Sequence, residues 1–149
     1  MTLDLPNLDA TESLGRRLGA VLESGSVVGL VGEMGAGKTH LIRAICEGLG
    51  IRNSMVTSPT FVLIQEYEGL LPIFHFDTYR LRSSREFAEL GAAEYLDGAG
   101  VCLIEWADRV EGFLPTDRLT IVLTHVSEQA RRAQVTAGGP RHAGILSRL

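Results

Sequence analysis

Residues 32–39 read GEMGAGKT, and no other run in the 149-residue chain restricts the fold as strongly. The pattern GxxxxGK[ST] works when closely spaced glycines let successive backbone N–H groups turn inward on phosphates, at the positive end of the following helix. A lysine then reaches the outer phosphates and a hydroxyl meets magnesium. Gly32, Gly35 and Gly37 stand at the permissive positions, with Lys38 and Thr39 behind them. Lys38 is the only lysine among 14 basic residues. With this composition, a chance match around it has odds of roughly one in 600. A compact ammonium also suits a phosphate nest better than a planar guanidinium.

The flanking sequence supplies the strand and helix that such a loop needs. Residues 27–31 form a short apolar run that reads as a buried strand, and Leu41, Ile42, Ile45, Cys46 and Leu49 mark one face of a helix ending at Gly48 or Gly50. Upstream, Thr11 is the expected cap of a helix carrying Leu14, Leu18, Val21 and Leu22, closed by Ser24 and Gly25. Downstream, 61–66 and 71–77 read as extended runs turning at Glu68 and Gly69. Ser83 with Glu86 forms a capping-box pattern for a short helix that Gly91 ends or kinks. Residues 101–106 are the next apolar strand, and 119–126 with 133–136 read as a final antiparallel pair, before a Gly-Gly-Pro break and a weakly patterned end. The expectation is one α/β domain over 1–149, of P-loop NTPase type, with a central mixed β-sheet flanked by helices and a peripheral C-terminal stretch.

Composition narrows the function. A net charge of −4 and a pI near 5.5 argue against a broad basic surface, so direct RNA binding by this chain is not expected. The first ten residues lack a basic, apolar leader, and no apolar run approaches the ~18 residues of a membrane span. A cytoplasmic protein with no membrane association is the expectation. Cys46 and Cys102 lie among apolar neighbours and read as buried, reduced thiols.

A phosphate loop needs an acidic partner on the metal side, at the end of a neighbouring strand. Asp77 ends LPIFHFD and Glu105 ends VCLIE, so both are candidate catalytic and metal-side acids. Thr39 and Glu105 are expected near magnesium, with Asp77 behind the metal or orienting the attacking water. Thr57 to Phe61 offers three hydroxyls beside a rigid proline and reads either as a nucleotide-sensing loop or as a plain turn. Trp106 follows Glu105 directly and is either core or a wall of the site. His40 and His75 lack metal-ligand spacing to another His or Cys.

The segments GEMGAGKTHLIRAICEGLGI, SPTFVLIQEY, HFDTYRL, ELGAAEYL and LIEWADR, in this order, resemble the TsaE (YjeE) family of bacterial P-loop ATPases. The resemblance implies an Mg-dependent ATPase, weak alone and stimulated by its partners. Its role would be as an accessory factor in threonylcarbamoyladenosine modification of tRNAs reading ANN codons. It also implies action on a TsaB–TsaD complex, through which tRNA is met only indirectly. Carried over by position, Glu33, Met34, Gly35, Ala36, Gly37, Lys38, Thr39 and His40 contact ATP, while Thr39, Asp77 and Glu105 stand around Mg2+. Residues 58–61 resemble the family's switch-like loop. His40 departs from the family's usual second threonine, and Thr11 and Arg131 are the candidate flanks of the adenine. Two other readings share the loop, a small-molecule kinase and a nucleotide-sensing module without turnover. The sequence has no NKxD guanine motif, which favours ATP over GTP.

Overall fold

The computed structural model describes residues 1–52 and 64–149. Among these residues, seven strands form one sheet in the order β1-β7-β6-β2-β5-β4-β3, with β1 at Thr2–Leu5, β2 at Val27–Val31, β3 at Ile64–Glu68, β4 at Pro72–Asp77, β5 at Val101–Glu105, β6 at Leu119–His125 and β7 at Arg131–Ala137. The four central strands, β6, β2, β5 and β4, run parallel. The pairs β3–β4, β6–β7 and β1–β7 are antiparallel. This is the expected mixed sheet. Its centre is apolar along whole strands, as VVGLV and VCLIE show, because a parallel sheet is covered on both faces.

Strand alternation divides the core in two. Val28, Leu30, Ile73, Val101 and Leu103 face helices α1 (Leu8–Val21), α2 (Lys38–Gly48) and α5 (Pro140–Ser147). Val27, Phe76, Cys102 and Ile104 face α3 (Ser84–Glu89), α4 (Ala92–Leu96) and a kinked 3-10 segment, Ala107–Phe113. The same period of two puts His75, Asp77 and Glu105 on the side of α2, two and four residues beyond Ile73 or Leu103 along their strands.

Helix α1 holds α2 at close range. A Cβ at Gly19 would stand 2.2 Å from the Ile45 carbonyl, and one at Gly15 would stand 2.4 Å from the Ala44 Cβ. The two helices therefore touch through backbone, which fixes the direction in which α2 points its N-terminus.

Several local expectations are corrected. The cap of α1 is Asn7, whose Oδ1 accepts from Ala10 N at 2.9 Å, while Thr11 lies inside the helix and is buried. Ser83 does precede α3, but its side chain makes no capping bond; Glu86 instead accepts from Arg82 N at 2.8 Å. Gly91, at φ +78, is a kink between α3 and α4. The C-terminal stretch is a helix begun by Pro140 and docked through buried His142 and Ile145. His142 Nε2 accepts from Val27 N at 3.0 Å while Nδ1 lies 2.8 Å from Asp117 Oδ1, tying α5 to the start of β2. Strand β1, TLDL, alternates with Leu3 and Leu5 turned toward the core, but at four residues it is too short to stand out in the sequence, and it pairs antiparallel with β7. Among the described residues, no helix is long and apolar enough to cross a membrane.

Candidate functional site

The glycine loop begins where β2 ends. Ala36 N donates to Glu33 O at 3.0 Å, closing a four-residue turn whose third residue, Gly35, has φ +82, as a type II turn requires. Gly37, at φ +98, then caps α2 in the left-handed region, and Leu41 N makes the first helical bond to its carbonyl at 3.0 Å. The opening N–H groups of a helix have no carbonyl one turn below them. They face the cleft together with the positive end of the helix dipole.

Lys38 is folded back over this loop. Its Nζ donates to the carbonyls of Gly32 and Glu33 and lies 3.9 Å from the centre of the Trp106 ring. Three N–H donors on an ammonium leave one for a ligand once two carbonyls are bound. Burial pushes the Lys38 ammonium below its ordinary value, while the charges of Glu105, Asp108 and Asp77 hold it up. Trp106 sits at φ +59, a strained conformation for a bulky residue, with the Tyr79 ring 4.9 Å away. The buried Thr78 hydroxyl donates to the carbonyls of Glu105 and Trp106, at 2.9 and 2.8 Å, and so steadies this bend.

The two acids are neighbours because their strands are. Asp77 and Glu105 pair in register across β4 and β5, and Leu30, near the end of β2, pairs with Glu105 on the other side. Glu105 is 3% exposed. Its Oε1 accepts from the Thr39 hydroxyl at 3.1 Å, and its Oε2 lies 2.8 Å from Nε2 of the fully buried His75. Asp77 accepts from Tyr79 N at 3.0 Å. Burial raises its carboxyl above the usual carboxylate range and the charge of Glu105 adds to this, against the Tyr79 bond, His75 and Arg80.

These residues line a cleft of about 530 Å3, a volume in the range of small-ligand sites. Met34, Gly35, Gly37, Lys38, Thr39 and His40 form its loop side, and Asp77, Glu105 and Trp106 its strand side, with Arg43, Tyr79 and Arg80 completing the lining. His40 Nε2 lies 3.0 Å from Glu12 Oε1 on α1. Thr11, Glu33, Ala36 and Arg131 are outside the described lining. The Thr11 hydroxyl is buried with no hydrogen-bond partner among the described residues, and Arg131 is bonded to the loop's outward carbonyls. The expected switch-like loop, 58–61, lies outside the described residues. Sequence reasoning missed His75 as the support of Glu105; the alternation of HFD, which puts residues 75 and 77 on one face, is the signal that could have found it.

The donor set fits a magnesium polyphosphate. All its candidate metal-side groups are oxygens, one hydroxyl and two carboxylates, as a small hard cation prefers. A Cβ built on Gly35 meets nothing within 4 Å, so the cradle is open at the loop.

Comparison with known proteins agrees with this architecture. A family model described as "Threonylcarbamoyl adenosine biosynthesis protein TsaE" matches residues 5–133. The tRNA threonylcarbamoyladenosine biosynthesis protein TsaE of Bacillus subtilis is 40% identical over 144 residues, covering 96% of this chain and 89% of the relative. That of Treponema pallidum is 43% identical over 125 residues, covering 84% and 92%. The crystal structure of Bacillus subtilis YdiB matches with a TM-score of 0.82 at 34% identity, over 99% of this chain and 91% of that one. With the family model spanning most of the chain and relatives this similar along nearly their whole length, the chain belongs to the TsaE family of threonylcarbamoyl adenosine biosynthesis proteins.

Proposed function

We propose that this chain binds Mg-ATP in the cleft and hydrolyses it as an accessory factor for threonylcarbamoyladenosine modification of tRNAs reading ANN codons. It acts in the cytoplasm on a TsaB–TsaD complex and meets tRNA only through that complex. The observation that carries the reading is the convergence of Lys38, Thr39, Asp77 and Glu105 at the carboxyl ends of three adjacent parallel strands, β2, β5 and β4.

The chemistry follows from what each group can do. The N-terminus of α2 and the third N–H of Lys38 bind phosphate oxygens. Thr39 and Glu105, already in contact, hold the metal side. Magnesium, when bound, neutralises charge on the phosphate oxygens. Asp77, with its raised carboxyl pKa, is a better proton acceptor than an ordinary aspartate and orients the attacking water. The Trp106 ring covers one side of Lys38 and excludes water there. Nothing in this cleft marks a phosphoryl acceptor subsite among the described residues.

The test has two arms. Calorimetry with Mg-ATP should show binding by the wild type and none by Lys38→Ala, with unchanged circular dichroism. Phosphate release should rise when a TsaB–TsaD pair is added. Equal affinity of the Lys38→Ala protein would sink the nucleotide reading, and phosphoryl transfer to a small acceptor would replace it with a kinase.

A further inference from the structure

Arg131 opens β7, behind the glycine loop, and among the described residues every hydrogen bond of its guanidinium goes to backbone. Nε donates to Ala36 O at 3.0 Å, and one terminal nitrogen reaches Gly35 O at 3.3 Å. The other donates to Ser127 O at 2.8 Å and Ala130 O at 2.9 Å, with Glu128 O at 3.4 Å. The Ala130 carbonyl also accepts from Val126 N and Ser127 N, so this end grips a closed hairpin turn. An arginine carries five N–H donors in a rigid fork, and these contacts engage all three nitrogens.

The contacts have a geometric consequence for the cradle. A trans peptide points its C=O and the following N–H in opposite directions. Holding Ala36 O outward therefore aims Gly37 N–H inward, where α2 begins. Holding Gly35 O outward fixes the Gly35–Ala36 peptide itself, whose N–H, on Ala36, closes the turn on Glu33 O. Gly35 and Gly37 lack the side chains that would restrict these peptides by themselves. The fork of Arg131, anchored on the β6–β7 hairpin, supplies the restriction from outside.

We propose that Arg131 is a positioning residue of the phosphate cradle, clamping the Gly35 carbonyl to keep the turn closed and the Ala36 carbonyl so that Gly37 presents its N–H to phosphate, rather than a contact to the base. This rests on the nucleotide reading above. The test compares Mg-ATP with Mg-tripolyphosphate, which has the phosphates and no base, by calorimetry on the wild type, Arg131→Ala and Arg131→Lys. Loss of the clamp weakens both ligands by the same factor, about tenfold or more for Arg131→Ala, because the unheld loop must be ordered on binding. Arg131→Lys, which keeps a cation but can satisfy fewer carbonyls, gives a smaller and again equal loss. The amide resonance of Gly37 should shift on adding tripolyphosphate to the wild type and shift less in either variant at equal saturation.

Loss of ATP affinity with unchanged tripolyphosphate affinity would make Arg131 a base contact and overturn the proposal, as would wild-type affinity for both ligands. If Arg131→Ala does not fold, the Arg131→Lys ratio decides alone. Failure of the wild type to bind either ligand would instead remove the nucleotide reading on which the proposal rests.

Discussion

Replacing Glu105 two ways separates its structural bonds from its charge. Both carboxylate oxygens have protein partners in a setting only 3% exposed. Glu105→Ala removes two hydrogen bonds to a charged acceptor, each worth about 1.5–3 kcal/mol, and strands the buried His75 Nε2. Relief of repulsion with its neighbour Asp77 offsets part of this, so a net loss of about 3 kcal/mol is expected. In a chain of this size that lowers the melting temperature by roughly 10 °C. Glu105→Gln keeps both contacts, its carbonyl accepting from His75 and its amide donating to the Thr39 oxygen. Charge assistance is lost and like-charge repulsion with Asp77 is relieved, so stability stays within about 1 kcal/mol of wild type. Hydrolysis in the presence of TsaB–TsaD nonetheless falls by about a hundredfold or more, because the negative charge at the metal side is gone. Thermal melts followed by circular dichroism and a phosphate-release assay read the two effects separately. Equal melting temperatures for the two variants would refute the hydrogen-bond reasoning, and full activity of Glu105→Gln would refute the need for its charge.

The raised carboxyl of Asp77 carries a pH signature. A folded-state value above the unfolded one, about 3.9, means the folded protein holds that proton more tightly. Stability is therefore lost as pH rises from the unfolded value through the folded one. Asp77→Asn keeps an acceptor for Tyr79 N, so it should stabilise the protein above this window and have no such advantage below it; chemical denaturation at several pH values would show a constant difference if the reasoning is wrong. Burial pushes the Cys46 and Cys102 thiols up to about 12. Neither should react with a thiol reagent at pH 8 in the native state, and labelling should appear only with unfolding. Rapid native labelling of either would contradict their burial.

The phosphate-loop pattern and both acidic strand ends were legible as local signals. A run such as VCLIE needs no partner to be recognised as a buried strand, and Lys38 is marked by composition alone. The start of α1 was misplaced because Thr11 and Asn7 are both acceptable caps by type. Asn7 prevails in the folded chain, where Thr11 is buried. Helix α5 lacked a strong pattern, since its docking depends on His142 meeting Val27 N and Asp117 from distant parts of the chain.

By itself, then, the sequence determined which backbone can cradle phosphate and which residue types can stand around it, because glycine freedom, strand periodicity and helix dipoles act over a few residues. Only the tertiary structure decided which acids meet, that His75 supports Glu105, and that Arg131 grips the loop from behind. Those depend on strand order and register, with contacts spanning up to 96 residues of chain, and no local pattern encodes which distant carbonyl a guanidinium will find.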